Sequence, residues 1–480
     1  MPNLSKKHQS NLDAALFGLS LDRTSAKPLH LQLVEALRAT ILSINHASGL
    51  RLPSGRLLAQ ELSVSRITVT TAFDQLTSEG YLVARRGSGT FVADHLPTLA
   101  HPPRRRPLPT PISVQPLPFH PGLPDGRLFP HRLWARHLER VWRHPPPGLL
   151  GLPDPFGWYP LRDAICHHLS GWRGLSCHPE QVLITAGASE AVQIISRALL
   201  AQGQQVAVED PGWEPLRDTL AQAGLHQQPV RVDDEGLNAA DLPEGMSAVF
   251  ITPSRHFPTG KAMPLERRLA VLDYATQRDC LVVEDDYDSE FRYVGQPLPS
   301  LAGLDGLKHT IYLGSFSKLL SPALRVGYMV LPEDLVPQVM AHVERTPPMA
   351  SLVPQPALAE LMQGGDFAVH LRRMRRTYAK RQACLVSALE NAKELLHVAP
   401  DASGMHLCCA INVDSLHGVS DIAVSKVAKE HRLSIRALSS HSVLPDPPQG
   451  LLLGYAAFDE PVLENAAKTL ADILSDAFSS

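Results

Sequence analysis

Eight prolines crowd into the 24 residues from His95 to Pro118, HLPTLAHPPRRRPLPTPISVQPLP, and no single core can run through such a stretch. Proline fixes φ and offers no backbone donor, so a run this dense stays extended and cannot join a helix or a sheet interior. The 480-residue chain is therefore expected to break there, with 95–118 as a linker between a short piece and a long one. Within the linker, Arg104, Arg105 and Arg106 could touch phosphate, although a solvated charge run is the plainer account. Residues 1–23 are expected to form a flexible tail. Apolar residues make up 44% and charged residues 19%, which supplies ample core for a globular protein, and the net charge of -3 selects no class of partner.

The six cysteines, Cys166, Cys177, Cys280, Cys384, Cys408 and Cys409, show no CxxC and no metal-ligand spacing. Reduced thiols in a cytoplasmic protein, with no metal, fit that pattern. The first residues lack an apolar run long enough for a signal peptide, and no 18-residue apolar stretch predicts a membrane span.

The short piece, residues 24–94, carries a compact pattern. Leu29–Arg38 opens a helix with Val34, Leu37 and Ile41 on one stripe. Ser54 caps a second helix ending near Leu62. A third starts at Ser65, places Val69, Ala72, Phe73 and Leu76 at i, i+3, i+4, i+7 spacing, and stops at Gly80. Tyr81–Val83 and Gly89–Val92 then predict two strands. Helix, helix, turn, helix, hairpin is the order of a winged helix-turn-helix. In such a domain Arg66, Thr68 and Thr70 face out near the start of the third helix, where Arg can pair with guanine and Thr can meet a thymine methyl. Arg51, Ser54 and Arg56 could hold phosphates, and Gly87 and Gly89 would let a hairpin tip approach a DNA backbone. Between Thr24 and Asp94 seven Lys or Arg stand against five Asp or Glu, so charge alone would not identify a DNA reader.

In the long piece, residues 119–480, short β-rich runs alternate with helical patterns. The runs are Gln181–Thr185, Gln205–Val208, Ala248–Thr252, Cys280–Val283 and His309–Leu313, with helices such as Ser189–Leu200 and Pro264–Gln277 between them. That alternation predicts an α/β domain with a mainly parallel sheet covered on both faces, whose ligand binds beyond the carboxyl ends of the strands. The residues after the runs supply what pyridoxal 5'-phosphate needs. Lys318, in a Ser-x-Ser-Lys turn, can attack the aldehyde. Asp285 can keep the pyridine nitrogen protonated, and Tyr287 can bond the ring oxygen. Arg325, Ser315, Ser317 and the Gly187-Ala188-Ser189 helix start suit the phosphate, while Trp213 offers a stacking face.

Two resemblances follow from these residues. RLPSGRLLAQELSVSRITVTTAFDQLTSEGYLVARRGSGTFVA resembles the GntR-family winged helix, with its RLPS, SR-x-TV, EGYL and G-x-GTF elements in order. It implies DNA contacts by Arg56, Ser65, Arg66, Thr68, Thr70 and Gly87. From Phe119 to about Gly454 the chain resembles the aminotransferase-like domain of MocR-type regulators, a branch of that family. FHPGLPDGRLFP, DPFGWYPLRDAI, VLITAGASEAV, VEDPGWEPLR, EDDYDSEFRYVG, YLGSFSKLLSPALRVGY and GLLLGYA carry the likeness. It implies a fold-type I domain with Lys318 as the Schiff-base lysine, Asp285 on the pyridine nitrogen and Tyr287 on the ring hydroxyl. Arg325, Ser315, Ser317, Ala188 and Ser189 would hold the phosphate, Trp213 would stack, and two subunits would form a head-to-tail homodimer.

Three departures from the family pattern stand out. Arg255-His256 replaces a usual His-Gln before the Pro-Thr-Gly turn, where a polar group meets the ring oxygen, which leaves the role of His256 open. Leu152 stands where a tyrosine often reaches the partner's phosphate. GLLLGYAAFDE offers no arginine for a substrate carboxylate, leaving Arg217 and Arg436 as candidates. The function implied is a DNA-binding transcription regulator that senses an amine, an amino acid or pyridoxal phosphate itself. The runner-up is a working aminotransferase carrying a DNA-binding arm, against which the missing carboxylate arginine counts.

Overall fold

The apolar stripes of the short piece become three helices closed by a hairpin in the computed structural model, which describes residues 9, 12, 16, 18–44, 47–96, 116–296, 298–412 and 418–476. The chain divides into two units, Met1–Ser113 and Val114–Ser480. Most of the proline-rich stretch, including Arg104, Arg105 and Arg106, lies outside the described residues.

In the small unit the helices are α1 (Leu29–Ser43), α2 (Gly55–Glu61) and α3 (Arg66–Ser78), followed by β1 (Leu82–Arg85) and β2 (Gly89–Val92). Val34, Leu37 and Ile41 of α1 meet Val69, Ala72, Phe73 and Leu76 of α3 in one buried cluster. β1 and β2 pair antiparallel, Leu82 opposite Val92 and Arg85 opposite Gly89. The segment before α2 lies along the other side of β2, with Leu52 N donating to Thr90 O at 2.9 Å and Val92 N to Leu50 O at 2.8 Å. A flexible tail was expected over 1–23, of which the structure describes residues 9, 12, 16 and 18–23. Leu12 and Leu16 are buried in the same cluster, and Gln9 Nε2 donates to Arg51 O at 2.9 Å.

The helix starts are fixed by side chains. Ser54 Oγ accepts from Leu57 N at 3.3 Å, and Ser65 Oγ accepts from Thr68 N at 3.1 Å. Ser65→Ala should destabilise the small unit by about 1 kcal/mol and lower its unfolding midpoint by roughly 4–8 °C. Calorimetry on the full chain reads this, and an unchanged midpoint would dismiss the cap.

In the large unit the strands are β3 (Val182–Thr185), β4 (Gln205–Asp210), β5 (His226–Asp233), β6 (Gly236–Leu237), β7 (Ala248–Ile251), β8 (Leu281–Asp286), β9 (Thr310–Ser315) and β10 (Gly327–Val330). They form one sheet in the order β3-β10-β9-β8-β7-β4-β5-β6. The β9-β8-β7-β4-β5 stretch is parallel. β10, which the sequence pattern did not single out, runs antiparallel between β3 and β9. Alternate residues bury to opposite faces. Val206, Val208, Phe250 and Val283 go to one cluster, while Ala207, Val249, Ile251 and Val282 go to another. A helical cover on both faces explains why these strands are apolar throughout.

A second, antiparallel sheet of β11 (Leu396–His397), β12 (His406–Ile411), β13 (Arg436–Ala437) and β14 (Gly450–Gly454) follows the 23-residue helix Asp366–Ala388. The unit's first residues close on it. Phe119 bridges Gly454, whose N–H donates to Phe119 O at 2.8 Å. A Cβ on Gly454 would stand 2.1 Å from His120 O, so only glycine fits there. No helix among the described residues is long and apolar enough to cross a membrane. No cluster of three or more metal-ligating side chains occurs among them.

Candidate functional site

Five strand ends of the large sheet converge on one cavity of about 410 Å³. β8 delivers Asp285 and then Tyr287. β9 runs into the short helix Phe316–Leu319, which presents Lys318. β3 feeds the helix Ala188–Ala198 through Gly187, whose φ of +128° lets the chain turn straight into the helix start. β4 leads to Trp213 and β7 to Thr252. Ala188, Ser189, Trp213, Asp285, Tyr287, Ser315, Ser317, Lys318 and Arg325 all line the cavity.

Lys318 Nζ donates to the carbonyl of Gly122 at 2.6 Å. Burial pulls its ammonium below the usual lysine range, the nearby Arg436 adds to this, and Asp288 and Asp285 oppose it. An amine easily deprotonated is a nucleophile for a carbonyl. Ser315 Oγ accepts from Ser317 N at 3.2 Å, so the turn before Lys318 is held by its own first serine. Arg325 stands in the left-handed region at φ +51° and is exposed, free to meet an anion with Ser315, Ser317 and the positive end of the helix Ala188–Ala198.

Asp285 lies beneath this group. Burial and the adjacent Asp286 push its carboxyl up to about 7, with Lys318 partly offsetting them. A carboxyl in that state welcomes a cationic partner such as a protonated ring nitrogen. In the unfolded chain the same group ionises at about 4. Below that pH both states keep the proton. Between there and about 7 only the unfolded chain releases it, so the group's contribution to stability is full at low pH and is lost as pH rises. In cofactor-free protein Asp285→Asn should therefore gain on the parent across that window. Unfolding midpoints at a series of pH values read the difference, and parallel curves would show that Asp285 is not the group responsible.

His256 is not among the cavity's lining residues. It is buried, with Nδ1 2.7 Å from Thr259 Oγ1 and Nε2 3.8 Å from Glu209 Oε2. Burial holds it neutral, its pKa pushed down to about 3. The neighbouring Arg255 reaches the site instead, donating to Tyr287 Oη at 3.1 Å while anchored to Asp401 Oδ2 at 2.8 Å. Leu152 is 97% exposed. Of the two arginines left open for a carboxylate, Arg436 lines the cavity, whereas Arg217 donates to the carbonyl of His441 at 2.9 Å and borders a small adjoining void that shares Trp213, Thr252, Phe257 and Asp285 with it. Arg255, Asp288, Met405 and His406 were missed in the sequence. Their neighbours are far along the chain, as with the 3.1 Å contact between His406 Nε2 and Pro258 O. Only the Arg255-His256 departure hinted at any of them.

On the small unit, Arg66 and Thr70 are exposed on α3, and Thr70 Oγ1 donates to Arg66 O at 3.0 Å. Thr68 is half-buried, with its hydroxyl 2.8 Å from Ser65 Oγ, so both belong first to the helix cap. Ile67, which the stripe analysis passed over, is 78% exposed beside Arg66. Arg51, before α2, and Arg56, in its first turn, are exposed. Gly87 sits at the hairpin tip with φ +75° and nothing near its missing side chain, which suits a wing that meets a DNA backbone.

Comparison with known proteins matches residues 130–470 to class I and II aminotransferases and residues 29–92 to bacterial regulatory proteins of the gntR family. The chain is 36% identical over 476 residues to a probable rhizopine catabolism regulatory protein, MocR, from Rhizobium meliloti, covering 94% of this chain and 95% of that one. It is 33% identical over 448 residues to PdxR, an HTH-type pyridoxine biosynthesis transcriptional regulator of Corynebacterium glutamicum, covering 92% and 95%. Among solved structures, a kynurenine aminotransferase of Pyrococcus horikoshii shares the large unit's fold at a TM-score of 0.70 and 23% identity, covering 77% of this chain and 93% of that one. LysN, an alpha-aminoadipate aminotransferase of Thermus thermophilus, matches at 0.68 and 25%, covering 76% and 93%.

Proposed function

We propose, for a chain that belongs to the MocR-type GntR-family transcription regulators, that the cavity around Lys318 senses an amino acid or related amine and sets how the small unit reads DNA. The cofactor is pyridoxal 5'-phosphate, in keeping with the class I and II aminotransferase domain. The donor set fits it, with an amine, a raised carboxyl, a phenol and an arginine-serine anion cradle around one cavity. When bound, the cofactor supplies an aldehyde that exchanges between amines and a ring that withdraws electrons. Lys318 offers the protein's own amine, Asp285 holds the proton at the ring nitrogen, and Arg255 orients Tyr287 toward the ring oxygen. Arg325, Ser315 and Ser317 bind the phosphate, and Trp213 covers a face of the ring.

The observation that carries the sensing role is Arg436 in the cavity beside Lys318. A guanidinium there suits the carboxylate or sulfonate of an amine-bearing effector. An effector competing with Lys318 for the cofactor would bind two states of the domain unequally, which is what regulation requires. Pyridoxal phosphate itself, as the variable ligand, is the other member of this reading. Two subunits in a homodimer would present two readers to a two-fold operator in the cytoplasm.

The test is a titration of cofactor-loaded protein with single amines and amino acids, following the visible band and operator affinity together. The band and the affinity should shift at the same effector concentration. Arg436→Ala should raise that concentration by about 10–100-fold, with borohydride still fixing the cofactor at Lys318 in the unliganded variant. Steady keto-acid production with no change in operator affinity would favour an aminotransferase instead.

A further inference from the structure

Away from the cofactor cavity, the long helix Asp366–Ala388 and the loop after the turn Ser289–Phe291 border a second, open hollow of about 420 Å³. Its walls are Arg292, Tyr293, Arg372, Arg375, Arg376 and Ala379. Among the described residues, none of these four arginines makes a side-chain hydrogen bond or an ion pair. The Nε atoms of Arg292 and Arg375 are buried without a partner. Arg375 instead sits over the ring of Trp172, its guanidinium carbon 4.6 Å from the ring centre. The nearby carboxylate is that of Glu290, which is buried and engaged by His168 Nε2 at 3.2 Å.

Like charges at i, i+3 and i+4 on one helix repel, and a guanidinium taken out of water without an anion costs free energy. Burial falls mainly on Arg375, where the Trp172 ring and the charge of Glu290 offset it in part, while Arg372 and Arg376 are exposed and no carboxylate pairs with either among the described residues. Four forked donors around one hollow match an oxyanion carrying at least two charges, the geometry that guanidinium groups recognise best. We propose that this hollow binds phosphate groups, as a site separate from the one around Lys318. The two cavities share no lining residue. They are joined through the chain. Arg292 lies five residues after Tyr287 and bridges Ser403, two residues from the Asp401 that anchors Arg255. A phosphate held by Arg292 therefore bears on the segment that positions the cofactor's phenol partner.

The phosphate could belong to a free small molecule or to the DNA backbone, and one set of variants separates the two. Pyrophosphate is titrated calorimetrically into the full-length protein after loading with pyridoxal phosphate, so that the Arg325 cradle is already filled. The double variant Arg372→Ala/Arg376→Ala, at two exposed positions, is compared with the parent, and an unchanged visible band certifies its fold. The parent should bind pyrophosphate, and the variant at least tenfold more weakly. Operator affinity is then measured against salt. A slope reduced by about 2 in the variant assigns the phosphates to DNA, while an unchanged slope assigns them to a small ligand. If pyrophosphate binding and the salt slope are both the same in parent and variant, the proposal is wrong.

Discussion

Lys318→Ala should leave a folded protein that cannot hold pyridoxal phosphate covalently. Among the described residues the hydrogen bond lost is the one from Nζ to Gly122 O, and the ammonium it removes is one that burial already disfavours, so little stability is at stake. Attachment, by contrast, depends wholly on that amine, because a covalent bond to an aldehyde needs a nitrogen nucleophile. The parent should show a visible band that borohydride fixes to the chain at Lys318. In the variant borohydride should fix no cofactor to the chain at any cofactor concentration, while the Arg325 cradle still retains cofactor that dialysis removes. Borohydride labelling of the variant at another lysine would show that Lys318 is not the attachment point. Absence of the band from the parent would disprove the cofactor assignment while leaving the DNA-reading unit untouched.

Arg66→Ala should weaken specific operator binding by about 1–3 kcal/mol, or roughly 5–150-fold, and relax the preference at one base pair. Arg66 is the first residue of α3 and is exposed, and the cap at Ser65 fixes the direction in which it leaves the helix. Binding to unrelated DNA should change far less, because that term comes from phosphate contacts. Arg56→Ala is the useful contrast. It should weaken all sequences alike and lower the salt slope by about 1. Anisotropy titrations on operator and scrambled duplexes separate the two patterns. Equal losses on both duplexes for Arg66→Ala would make it a backbone contact and not a base reader.

The small unit was legible because its signals are local. Val69, Ala72, Phe73 and Leu76 mark a helix face by spacing alone, and Ser65 marks where it starts. The parallel strands were legible for a related reason, since strands buried on both faces read as short apolar runs. β5 and β10 escaped because neither shows that run cleanly in isolation. β5 carries His226, Gln227 and Gln228, and Gly327–Val330 follows too soon after the Lys318 helix to predict a separate strand. The candidate cofactor residues were legible because each follows a strand that could itself be read from the sequence. Arg255, Asp401 and His406 could not, because their contacts join segments about 150 residues apart and no periodicity encodes such a meeting. Leu12 and Leu16 were passed over because a stripe of two residues is too short to distinguish from chance.

The clasp between Phe119 and Gly454 decides where this protein can be cut and rejoined. A chimera that gives the sensor domain a different DNA reader must place its junction before Phe119. From that residue on, the backbone is part of the C-terminal sheet, and three residues later it supplies the carbonyl on which Lys318 rests. A junction a few residues further in would exchange the reader and disarm the sensor in one step. The segment before Phe119 is the exchangeable joint, and the clasp protects the sensor from whatever is attached there.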